Sequence, residues 1–75
     1  MGAETDPILF HVETDRETDD RWIAEVLELP GALAYGATEA EAIARAKALA
    51  LRALADRLEH GEASSDATGV HFAAA

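Results

Sequence analysis

Asp15, Glu17, Asp19 and Asp20 crowd together in the segment TDRETDD. Carboxylates at that density can hold a divalent cation through oxygen ligands. The segment lacks the central glycine and the distal bidentate glutamate that a calcium loop needs, however. A solvated turn is the better reading, and no metal or other cofactor is expected. His11 and His71 would share a sheet face if the first and last strands pair, but two imidazoles do not close a zinc site. They are read as ordinary half-exposed histidines. The two serines, Ser64 and Ser65, stand in a linker and cysteine is absent, so no nucleophile-base pair is visible. Gly31 and Gly36 are read as turn residues rather than parts of a phosphate loop. A two-metal nuclease needs several converging carboxylates. Glu13 and Glu25, the acidic residues placed within strands, are read as exposed strand positions. No enzyme is expected; a small metal-dependent one using the acidic turn stays open as a distant alternative.

The elements that carry these residues follow from periodicity. Ile8 to Glu13 alternates, with Ile8, Phe10 and Val12 on one side and Leu9, His11 and Glu13 on the other, which predicts a first strand. Thr14 to Arg21 is a charged turn. Trp22-Ile23-Ala24-Glu25-Val26-Leu27 alternates again, so an antiparallel hairpin is the simplest connection. Trp22 is read as core or, alternatively, as a partner contact. Leu29-Pro30-Gly31 suits a type II turn, because Pro30 presets its φ and Gly31 tolerates φ > 0. Leu33 and Tyr35 mark a short third strand ended by Gly36. Thr38 and Glu41 have capping-box spacing. A helix rich in Ala, Leu, Arg and Glu then runs from Glu39 to about His60, with Gly61 as its stop. Residues 61–68 read as a flexible connection and Gly69 to Ala73 as a last strand, with room to lie parallel to an earlier one. The expected fold is α+β, two layers in the order β-β-β-α-β, as a single domain over 8–73 after a disordered stretch over 1–7.

Two surfaces of this fold invite a partner. On the helix, Ile43, Ala50, Leu51, Leu54 and Leu58 form the stripe expected to cover the sheet. Ala42, Ala46, Leu49 and Ala53 form a second, displaced stripe, read as an interface with another subunit or, alternatively, as plain helix-forming alanine. On the sheet, Phe10, Val12, Trp22, Ala24 and Val26 share the inner face. Leu9, Ile23 and Leu27 share the other with His11 and Glu25. That mixture predicts partial cover by another chain.

Composition narrows the kind of partner. The chain has 75 residues, 15 acidic and 6 basic, for a net charge of −9. Such a field opposes direct binding to nucleic-acid phosphates and suits a basic protein, though it also serves plain solubility. A domain of this size buries only about 60% of its unfolded surface, and without cysteine no disulfide compensates. A homo-oligomer, dimer or tetramer, is therefore expected. No apolar run approaches membrane-spanning length, and Met1 to Pro7 is too short and acidic for a signal peptide. A cytoplasmic location is expected.

Taken in order, Trp22-Ile23-Ala24, Glu28-Leu29-Pro30-Gly31, Gly36-Ala37-Thr38 and Glu39 to Ala42 resemble the HicB-like antitoxin family over roughly Ile8 to Gly61. Leu27 departs from it, where many relatives carry a proline. The resemblance implies a sheet like a reduced ribonuclease H fold. It also implies a protein that neutralises a small basic HicA-type toxin, an RNA-cleaving protein with a double-stranded-RNA-binding-like fold. Many relatives append a DNA-binding segment; here the sequence given stops at Ala75, so operator binding is not expected. Glu25, Glu28, Glu39 and Glu41 are the leading acidic contacts, chosen because they surround the turn and the helix entry rather than from a family motif. The alternative is a solitary oligomeric scaffold without a toxin.

Overall fold

The computed structural model describes residues 7–62 and 69–75. Strands β1 (Ile8–Arg16), β2 (Trp22–Val26) and β3 (Leu33–Gly36) precede helix α1 (Glu39–Glu59), and strand β4 (Val70–Ala74) follows it. They form a four-stranded sheet in the order β3-β2-β1-β4, covered on one face by the helix. β1 pairs β2 antiparallel and β4 parallel, and β2 pairs β3 antiparallel. This is the α+β, β-β-β-α-β arrangement that the periodicity predicts. Most of the expected N-terminal tail and of the connection over 61–68 lies outside the described residues.

β1 extends three residues beyond the expected Glu13, because Thr14, Asp15 and Arg16 pair with Ala24, Ile23 and Trp22. The turn shrinks to the few residues between Glu17 and Arg21. Glu17 N donates to Arg21 O at 2.7 Å, and Asp20 takes φ +65°, the left-handed residue of a short hairpin loop. Asp19 grips Arg21 at 2.7 Å and Arg16 reaches Asp20 at 2.9 Å. The acidic cluster is thus divided between a strand and a self-paired turn. Among the described residues, no three His, Asp or Glu side chains are grouped to hold a metal.

The next turn forms as its residues dictate. Ala32 N donates to Leu29 O at 2.9 Å across Pro30 and Gly31, and Gly31 has φ +92°. Leu29 and Ala32 are buried, which anchors the turn in the core. Thr38 caps α1 by accepting from Glu41 N at 3.1 Å. The Glu41 carboxylate reaches back one residue further than a capping box requires, accepting from Ala37 N at 2.7 Å. At the other end Gly61 N donates to Leu58 O and Glu62 N to Arg57 O, the paired bonds of a Schellman stop.

The helix turns a different side to the sheet than expected. Its buried row is Ala42, Ala46, Ala50 and Leu54, spaced four apart, while Leu51 and Leu58 stay 47% and 44% exposed. The true seam runs between the two expected stripes. The cause is close approach: a Cβ on Gly36 would stand 2.5 Å from Ala42 N. Only small side chains fit where α1 enters, so alanines face the sheet and the leucines are turned outward. Gly36 itself is not the turn residue expected but the last residue of β3, paired with Trp22. Ala42 and Ala46 are completely buried in this single chain and cannot meet another subunit.

Candidate partner-binding face

α1 bears on β3 and β2 far more than on β1, and only on one side of the sheet. Among the described residues, no element covers the opposite side. Strand alternation and the observed register bring Leu9, His11, Glu13 and Asp15 of β1 onto it, beside Ile23 and Glu25 of β2, Leu27 just past the end of β2, and Leu33 and Tyr35 of β3. Leu9 is 49% and Leu27 46% exposed, with Leu33 and Tyr35 close behind. Exposed leucines scattered singly need no explanation, but an apolar group on one flat face does.

The carboxylates on this face surround the apolar positions. Glu13 lies directly opposite Glu25, and Asp15 directly opposite Ile23. Like charges opposed across an antiparallel pair destabilise the sheet unless something neutralises them. Glu13, Asp15, Glu17, Ile23 and Glu25 line a shallow recess of about 250 Å³. At the margin, Arg21 stacks over the Tyr35 ring at 4.6 Å while held by Asp19. That contact keeps Asp19 below the usual carboxylate range, chiefly through its hydrogen bond from the Arg21 side chain.

The four glutamates expected to meet a partner divide between layers. Glu25 is half-buried on the open face. Glu28 meets His11 there, accepting from its backbone N at 2.7 Å and contacting Nδ1 at 2.5 Å. These bonds, the backbone one foremost, hold its carboxyl below the ordinary value. Glu39 and Glu41 belong to the helix layer. Glu39 accepts from the Thr14 hydroxyl at 2.7 Å, and Glu41 caps Ala37 and stands 3.6 Å from Arg45. Three of the four therefore have internal work, and Glu25 is the one facing outward beside an apolar surface.

Leu9, Ile23 and Leu27 stand on the open face as expected. Leu49 and Ala53, by contrast, are half-buried beside the Leu29 to Ala32 turn and pack against the chain's own core. Glu13 and Asp15 are additions: the sequence alone places Asp15 in the turn over Thr14 to Arg21, and continuing the β1 alternation past Glu13 is the signal that puts it on this face.

No family model, curated protein or solved structure matches this chain. No helix among the described residues is long and apolar enough to cross a membrane.

Proposed function

We propose that this chain is a HicB-like antitoxin whose open sheet face covers the RNA-binding face of a small basic HicA-type toxin. The observation that carries the reading is the makeup of that face: an apolar centre of Leu9, Ile23, Leu27 and Tyr35, crossed by Glu13, Asp15 and Glu25. A basic, partly apolar partner satisfies both halves. Its cations relieve the Glu13 and Glu25 opposition, and its apolar side chains remove the leucines from water at about 25 cal/mol per Å². Inhibition is by occlusion, since a toxin bound by its cationic face cannot reach RNA. The order of the Trp22 strand, the Glu28 to Gly31 turn and the Thr38 helix entry supports the same family. The protein is cytoplasmic in this reading and binds no nucleic acid itself.

The test is association with the toxin and protection of RNA from it. Binding should weaken steeply with salt, because exposed charges are screened beyond about 10 Å at 0.1 M. Affinity that stays constant from low to high salt rules the electrostatic mechanism out. A solitary scaffold, the second reading, is favoured only by the burial this small, alanine-rich core leaves unsupplied: among the described residues, five of the ten buried hydrophobic ones are alanine.

A further inference from the structure

We infer that the outer edge of β4 is a self-association site, where two copies of this chain pair β4 with β4 antiparallel into one eight-stranded sheet. The inference does not depend on the antitoxin reading, and each can fail alone.

The two ends of the sheet differ. At β3 the strand is short, Leu33–Gly36, and Arg45 of the helix donates to Tyr35 O at 2.9 Å, which ties the helix to that edge. At β4 nothing among the described residues pairs with the outer side. The internal ladder shows which groups point outward. Ile8 N donates to Gly69 O, and Ala75 N to Val12 O. With the parallel register this turns His71 and Ala73 toward β1 and leaves N–H and C=O of Val70, Phe72 and Ala74 facing out. A two-fold axis at Phe72 sets Phe72 opposite Phe72, and Val70 opposite Ala74, so roughly six main-chain bonds form with no mismatch.

The occupant is a second copy because of charge. The chain carries −9, so most surfaces repel their like. β4 reads VHFAA, with no acidic or basic side chain other than His71 and no proline to blunt the edge. Along the strand itself copies can meet without opposing carboxylates; Glu39 lines the recess behind it, together with Lys47. The helix leaves this end of the covered face thin as well. A recess of about 330 Å³ opens between Ile43, Lys47 and Phe72, with Lys47 Nζ 5.4 Å from the Phe72 ring centre. Leu51, one turn beyond Lys47 on the same flank, is 47% exposed. Pairing at β4 brings a second Phe72 beside this recess and removes both rings further from water.

Two measurements test it. Sedimentation of the intact chain across the micromolar range should give a mass near twice 7.9 kDa. Ala74→Pro deletes an outward N–H and spares the β1 ladder, so it should shift the chain to monomer with unchanged circular dichroism. Independently of that variant's folding, chains carrying His71→Cys should be mixed with chains carrying Ala73→Cys and mildly oxidised. In the proposed pairing position 71 faces position 73 of the other copy at about 4.5 Å between Cα atoms, within disulfide reach, whereas 71 to 71 and 73 to 73 are not. The mixture should cross-link several-fold more than either variant alone. A wild-type chain that remains monomeric, or a mixture that cross-links no better than its components, overturns the proposal.

Discussion

Gly36 and Glu28 show how single residues set this fold. Gly36 stands where the helix first touches the sheet, and a Cβ there would lie 2.5 Å from Ala42 N. The obstacle is backbone, so it cannot swing away. Gly36→Ala should cost at least about 2 kcal/mol by chemical denaturation, the upper half of the usual range for overpacking or more. A loss below 0.5 kcal/mol, roughly the size of a neutral surface change, would mean that the helix shifts freely. Glu28 works through charge. Its carboxyl is held below the ordinary 4.5 by His11, so the ionised form is favoured in the folded state. That stabilisation is complete above the ordinary value and fades as pH falls through the lowered one. Melting temperature should therefore drop between about pH 6 and pH 3.5 by more in the wild type than in Glu28→Gln. Equal drops would show that the His11 contact contributes nothing to folding.

Elements were legible in the sequence to different depths. Helix bounds were, because Thr38 and Gly61 are chemical punctuation: a side-chain acceptor for free N–H groups and a residue at ease at φ +72°. So was the Pro30-Gly31 turn. The end of β1 was not, because polar Thr14 to Arg16 looks like loop until its partner strand is known. Nor was the helix phase. With alanines all round α1, leucine position suggested the seam, but the approach of the helix to Gly36 decided it. Two substitutions measure that phase. Ala50→Leu should destabilise by about 1–3 kcal/mol, since the site has no space. Leu58→Ala should change stability by less than about 1 kcal/mol, because the side chain is substantially solvated. The reverse ranking would restore the seam expected from the leucines.

At the scale of the molecule, the described residues cover the sheet on one face and leave apolar surface in two places: across the open face and along β4. The strand pattern made the inner face and Leu9, Ile23 and Leu27 readable in advance. The acidic positions that matter were only partly so. Glu28, Glu39 and Glu41 cluster near the turn and helix entry in sequence but are spent on His11, Thr14, Ala37 and Arg45 in space. Glu13 and Asp15 gain their place from a register that no single segment contains. The central claim is that the open face holds a small basic protein, and capture from the native lysate at low salt tests it most directly. Wild-type chain and an Ile23→Asp, Glu25→Lys variant, both checked for folding, should be compared as baits. A stoichiometric small basic protein that is retained by the wild type, released by salt and lost from the variant is the predicted result. Equal retention by both baits, or no such protein on the wild type, contradicts the account.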